Sequence, residues 1–390
     1  MITANARRLP RTVWALGLVS LCMDASSELV HSILPLYLTV SLGASMTTIG
    51  LIEGGAEAFA QIVKVFSGGF SDYFGKRKAL VILGYGLAAL SKPIFPLAGS
   101  VGWVFGARLL DRFGKGIRGA PRDALIADVT PPELRGAAYG LRQALDSVGA
   151  CIGPLLAIAL LALFARDFKA VLWFATIPAV IAVLVLWTAV EEPPRSTPRA
   201  VQRLAWRDVQ SLARPYWKVV LLGVVFTLAR FSEAFLVLRG QHLGLGAAFA
   251  PAILVAMSVT YAVIAYPAGR AADHYPARVL LVPGLAVLVA SDLLFAFANG
   301  PILVLSGAAL WGIHLGLTQG LLSKLVAATA PPRLVGTAFG IFNLASGLAL
   351  FVASALAGWV WDAYGPAATF EVSALCAAIS AAGVIFVRLK

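Results

Sequence analysis

Two carboxylates, Asp24 and Glu28, lie one helical turn apart in the apolar segment Met23-Asp-Ala-Ser-Ser-Glu-Leu-Val-His31, with His31 on the same face. An acid in such surroundings is costly unless it is protonated or paired: burial disfavours its charge and a neighbouring arginine favours it. That opposition makes a proton-exchanging group. Asp24 and Glu28 are the expected proton carriers, and Arg112 is expected to tune them.

Arg112 belongs to the most charged stretch of the chain, RLLDRFGKGIRGAPRD from Arg108 to Asp123. At roughly 100° per residue, Arg108, Asp111, Arg112, Lys115, Arg118 and Arg122 fall within an arc of about 120°. One face is charged and the rest is apolar or small. A basic group near mid-bilayer costs about 2.5–3.5 kcal/mol on insertion scales, so this face must meet protein or water. Asp111, Lys115 and Arg118 are therefore candidate substrate contacts, since arginine and lysine bind carboxylate or phosphate groups. Glu53, Glu57 and Lys64 share an arc of about 40° on another segment and face inward together, which makes Glu53 and Glu57 further candidate substrate contacts. Arg142, also a candidate substrate contact, has with Asp146 the i,i+4 spacing of a self-satisfying pair. Farther along, Arg230, Glu233, Trp311 and His314 are the polar and aromatic candidates for the substrate wall, beside Phe226 and Phe231.

The elements that must position these groups follow from composition. With 59% hydrophobic and 13% charged residues and a mean hydropathy of +0.85, a chain of 390 residues is an integral membrane protein. The first apolar run, about 13–42, is too long for a signal-peptide core and is expected to be retained as a span. Spanning runs follow at about 47–70, 79–99, 102–127, 137–164 and 168–190, and six more at about 217–239, 247–269, 279–298, 301–328, 336–359 and 366–387. The expected organisation is an N-terminal six-helix half over 1–190, a polar, proline-containing linker over 191–216 and a C-terminal six-helix half over 217–390.

The net charge of +12 raises the question of nucleic acid, but its placement answers it. Arg7, Arg8, Arg11, Lys76, Arg77, Lys78, the linker arginines, Arg270, Arg278 and Arg388 all fall on one side of this arrangement. By the positive-inside rule both termini and the linker are cytoplasmic, in an inner (plasma) membrane. The expected partners are the lipid bilayer, protons and a small-molecule substrate, with no nucleic acid. Cys22, Cys151 and Cys376 sit in apolar runs without metal spacing, the four histidines are scattered and Met is scarce, so no metal or cofactor is expected.

The halves repeat each other. Thr130-Pro-Pro-Glu-Leu-Arg-Gly-Ala-Ala-Tyr-Gly140 lines up with Ala330-Pro-Pro-Arg-Leu-Val-Gly-Thr-Ala-Phe-Gly340, and Gly68 to Arg77 lines up with Gly269 to Arg278. Parallel repeats of this kind place the substrate path between halves and allow alternating access.

On these residues the sequence resembles a major facilitator superfamily transporter over essentially its whole length. The loop signature of that family is matched by Gly68, Asp72, Gly75, Arg77 and Lys78, and more weakly by Gly269, Asp273 and Arg278. The antiporter-associated pattern Gly-x-x-x-Gly-Pro is matched on the fifth span by Gly149, Gly153 and Pro154, and the fourth-span pattern Arg-x-x-x-Gly by Arg112 and Gly116. The resemblance implies an all-α membrane fold of twelve helices in two pseudo-symmetric halves, monomeric, with a proton-carrying acid on the first helix and an arginine on the fourth, as in drug–proton antiporters. It also implies a cytoplasmic gate. There Asp72 would cap a neighbouring helix, such as that beginning near Gly336, while Arg77 and Lys78 hold anionic lipid heads or acidic partners.

One match misleads. Gly114-Lys-Gly-Ile-Arg-Gly119 fits GxGxxG but has no preceding strand, and reads instead as a helix interface in which Gly116 and Gly119 admit another backbone. No nucleophile–base pair is apparent, so an enzyme is not expected. The sequence supports proton-coupled efflux of amphiphilic or drug-like compounds. A symporter or exchanger of small organic anions would draw on the fourth span, and a non-transporting membrane sensor is the reading from another class.

Overall fold

The computed structural model describes residues 9–74, 77–192, 209, 211–331 and 334–386, without the side chains of 68–74, 273, 385 and 386. Among them the regular structure is entirely helical.

The helices are α1 (Arg11–Leu36, continued by a π turn over Tyr37–Ser41), α2 (Met46–Phe74), α3 (Arg77–Ser91), α4 (Ile94–Leu97), α5 (Val101–Val129), α6 (Arg135–Leu163), α7 (Phe168–Phe174) and α8 (Thr176–Ala189). They continue with α9 (Arg214–Leu228), α10 (Ala234–His242), α11 (Ala252–His274), α12 (Ala277–Phe297), α13 (Pro301–Thr329), α14 (Val335–Tyr364) and α15 (Pro366–Phe386). All twelve expected spans are present, three of them in two pieces. The third breaks at Lys92 and Pro93, where proline cannot continue the hydrogen-bond ladder. The sixth breaks at Ala175 and the seventh over Ala229–Glu233. Pro35 perturbs the end of α1, where the Thr39 hydroxyl donates to the carbonyls of Pro35 (3.0 Å) and Leu36 (3.2 Å) and so re-satisfies the loosened turn.

Nine helices among the described residues are long and apolar enough to cross a membrane. The other expected spans miss that composition for physical reasons: α2 carries Glu53, Glu57 and Lys64, α5 carries the charged face, and the seventh is divided into α9 and α10. Trp14, Leu163, Trp187, Phe297 and Ile302 are exposed, as a surface facing lipid requires.

The chain forms two compact units, Met1–His31 with Phe59–Gln202 and Ser32–Ala58 with Arg203–Lys390. They depart from the sequence halves 1–190 and 217–390 at one place, residues 32–58. In the first unit, Val13, Leu16, Val19, Met23, Val81 and Tyr85 begin a core that runs on to α5, α6 and α8. Here α3 and α5 touch backbone to backbone: a Cβ on Gly84 would lie 2.7 Å from the Gly114 carbonyl oxygen. Small residues permit such an approach. Of the glycines expected to make a helix interface, Gly116 does so, against Val63 and Ala60 of α2, whereas Gly119 faces open space and corrects that expectation.

In the second unit, α2 packs against α14. Gly50 and Gly54 meet Ser354 and Phe351, and Gly358 meets Met46. Asp362, near the end of α14, accepts from the amides of Met46 (3.1 Å) and Thr47 (2.8 Å) and the hydroxyl of Thr47 (2.7 Å), satisfying orphan donors at the start of α2. These contacts are why 32–58 groups with the second unit. Its aromatic core joins Phe231, Phe235, Trp311, Trp361 and Phe370.

Candidate functional site

The charged face of α5 is held by a partner that sequence reasoning missed. Lys92 stands where α3 ends, one residue before Pro93, and its side chain turns inward. The ammonium donates to Asp111 Oδ1 (2.7 Å) and to the Ser27 hydroxyl (3.0 Å). The second Asp111 oxygen accepts from Arg112 Nε (3.1 Å), with the Arg112 terminal nitrogen at 3.0 Å and Arg108 at 3.9 Å. Relative exposures of 1% for Lys92, 2% for Asp111, 3% for Arg108 and 4% for Arg112 put this cluster beyond solvent screening. Arg108 also donates to His31 Nδ1 at 2.8 Å, which requires a neutral imidazole with its hydrogen on Nε2. The lysine was legible as a charge interrupting an apolar run just before a proline.

A second cluster lies farther along the same helix. Arg122 donates to the Ser20 hydroxyl (3.0 Å) and Asp123 Oδ1 (3.1 Å), with the Tyr85 hydroxyl at 3.4 Å. Arg142 donates to Asp146 Oδ2 at 2.6 Å, the self-satisfying pair its spacing predicts. Arg118 is buried with its guanidinium 4.5 Å from the Tyr85 ring centroid, a cation–π contact. Lys115, between these clusters, is exposed.

The acids of α1 are placed differently. Both are half-buried. The Cβ of Asp24 faces Gly149 and the Cβ of Glu28 faces Gly153, at 3.2 and 2.8 Å from where a glycine Cβ would be. The Gly-x-x-x-Gly-Pro pattern of α6 is thus the seat against which the Asp24/Glu28 face of α1 lies. Neither acid makes a hydrogen bond or ion pair among the described residues. Arg112, expected beside them, is engaged by Asp111.

Glu53 is buried and Glu57 half-buried on α2. Trp311 and His314 are buried on α13. His314 donates from Nδ1 to the Gly284 carbonyl (2.7 Å) and stacks on Phe226 at 5.3 Å, and the Arg230 guanidinium lies 5.1 Å from the same ring. Arg230 and Glu233 lie within the break in the seventh span. Of the gate residues, Arg77 pairs with Asp128 at 2.7 Å while its amide donates to Glu192 (2.6 Å). Lys78 donates to the Trp187 carbonyl (3.1 Å). Arg278 is exposed at the start of α12, and Gly269 has open space beside it. Gly75 and the linker 193–208 lie outside the described residues, as do the side-chain surroundings of Gly68, Asp72 and Asp273.

Comparison with known proteins gives a consistent result. The family model described as Major Facilitator Superfamily matches residues 16–240 and 222–390. An uncharacterised MFS-type transporter of Methanocaldococcus jannaschii is 30% identical over 392 residues, covering 98% of this chain and 96% of that one. The quinolone resistance protein NorA of Staphylococcus aureus is 24% identical over 200 residues, 51% of this chain and 50% of its own. Among solved structures, a bacterial homologue of the human lysosomal transporter Spinster superposes with a TM-score of 0.78 at 14% identity, covering 96% of this chain and 95% of that one.

Proposed function

The chain belongs to the major facilitator superfamily of membrane transporters, and we propose that it exports small amphiphilic compounds in exchange for protons, with Glu28 and Asp24 as the coupling acids. It is a multi-pass transporter of small molecules, not an enzyme.

One observation carries the reading. Lys92 at the end of α3 and Arg112 and Arg122 on α5 have carboxylate partners, whereas the half-buried acids of α1 make no hydrogen bond or ion pair among the described residues. An unpaired carboxylate in a spanning helix lowers its cost by taking up a proton, and it can lose that proton when water reaches it. Gly149 and Gly153 let α1 lie close enough to α6 for a small shift of one helix to change the surroundings of both acids. The partial similarity to a quinolone resistance protein agrees with an amphiphilic substrate. Arg112, engaged by Asp111, contributes through the charge balance of the buried cluster. The cytoplasmic placement of both termini in an inner membrane rests on the loop charges.

The test is pH-driven transport by Glu28→Gln protein that folds and binds substrate normally. The reading expects that transport to be lost, and wild-type rates would remove Glu28 from the coupling. If instead only organic anions are moved, exposed Lys115 and the rest of α5 become the substrate site.

A further inference from the structure

Asp292 on α12 has no part in the coupling described above. Its relative exposure is 0%, and it lies within the second unit among α12, α15 and the broken end of the seventh span. The Ser373 hydroxyl is 2.7 Å from Asp292 Oδ2 and 3.1 Å from the Ala229 carbonyl oxygen. Asp292 Oδ1 has no hydrogen-bond partner among the described residues. Ala229 is the residue at which α9 stops, so its carbonyl lacks the i+4 amide that a continuous helix would bring.

Counting hydrogens decides between two states. A hydroxyl has one hydrogen and a carbonyl can only accept. Were Asp292 ionised, Ser373 would have to donate to it, leaving the Ala229 carbonyl unserved and an anion with a single donor in a fully buried site. With Asp292 protonated, the acid donates to Ser373 Oγ, Ser373 donates to Ala229, and both contacts are made. The neighbouring titratable and charged groups do not alter this. Arg239 donates to the Phe295 and Ala296 carbonyls (both 2.9 Å), Arg230 lies over Phe226, Glu233 stands just before α10, and His314 on α13 is engaged by the Gly284 carbonyl of α12; Cys376 lies one turn beyond Ser373. Among the described residues no ion pair reaches Asp292.

We propose that Asp292 is a second proton-carrying acid of the transport cycle, neutral while Ser373 holds the broken end of the seventh span and ionised once that hold is released. In the releasing step the acid O–H bond breaks and the proton leaves to water. The Ser373 hydrogen then turns from the Ala229 carbonyl to the new carboxylate. Movement of α9 against α10, where Arg230 and Glu233 sit, is thereby linked to one proton. Breaks of this kind in membrane helices are tolerated where neighbouring side chains serve the freed backbone groups.

This proposal rests on the transporter reading but not on Glu28, and its test separates the two. Infrared spectra of the reconstituted full-length protein are expected to contain a protonated-carboxyl C=O band that is absent in Asp292→Asn. The band should shift in Ser373→Ala, where the acid loses its acceptor. Identical spectra for wild type and Asp292→Asn would overturn the proposal, as would an unshifted band in Ser373→Ala. The Asn amide can donate to Ser373 in place of the acid, so folding should be kept while proton-driven transport is lost. Wild-type transport by Asp292→Asn would also overturn it. Should Glu28→Gln transport normally while Asp292→Asn does not, the coupling assigned to α1 fails and this one stands.

Discussion

The Lys92 ammonium lies 2.7 Å from the Asp111 carboxylate, with both side chains almost fully removed from solvent. Charges in such a place are stable only together, because removing one leaves the other desolvated and unpaired. Asp111→Asn and Lys92→Met should each destabilise the folded protein, by about 3–5 kcal/mol. In thermal unfolding of the detergent-solubilised protein, the double variant should cost less than the sum of the two. Additive losses would show that the pair is not coupled.

The seat of α1 on α6 gives a contrast between glycines. A Cβ on Gly153 would stand 2.7 Å from the Leu29 nitrogen and 2.8 Å from the Ala25 carbonyl oxygen, backbone atoms that cannot turn aside. Gly153→Ala is expected to cost about 1–3 kcal/mol or more and to reduce transport. Gly119→Ala, with open space beside it, should be silent in both assays. Equal tolerance at the two sites would contradict the packing.

At the other end of α2, Asp362 is exposed but collects three hydrogen bonds from Met46 and Thr47. Asp362→Ala should lower stability by about 1 kcal/mol or less, the range of an exposed cap. Thr47→Val, which keeps both amide donors, should lower it by a smaller amount. Chemical denaturation of the two variants checks the order.

Much of this was readable from residue types. The period and length of apolar runs located the spans because a bilayer imposes both, and the charged arc of α5 had to face protein because lipid cannot solvate it. The pairing inside that arc was not readable, since Lys92 reaches Asp111 only through the break before Pro93. Nor was the divided seventh span: Arg230 and Glu233 interrupt its apolar run, but charges also stand inside the unbroken α2 and α5, so residue type alone does not stop the helix at Ala229. The grouping of 32–58 with the second unit depends on Gly50, Gly54 and Gly358 meeting across helices far apart in sequence. Glu28 illustrates both sides: its place on a helix face was evident from spacing, whereas that it meets no hydrogen-bond or ion-pair partner among the described residues could be seen only in the fold.

The coupling assigned to α1 is tested most directly by luminal pH in proteoliposomes holding the purified protein under an imposed proton gradient, acidic inside. Lipophilic cations, neutral amphiphiles and organic anions are added outside in turn. The account predicts that protons leave the lumen when a cation or neutral amphiphile is added to wild type, and that Glu28→Gln gives no response. Proton movement of wild-type size in Glu28→Gln, or a response to organic anions alone, would contradict it.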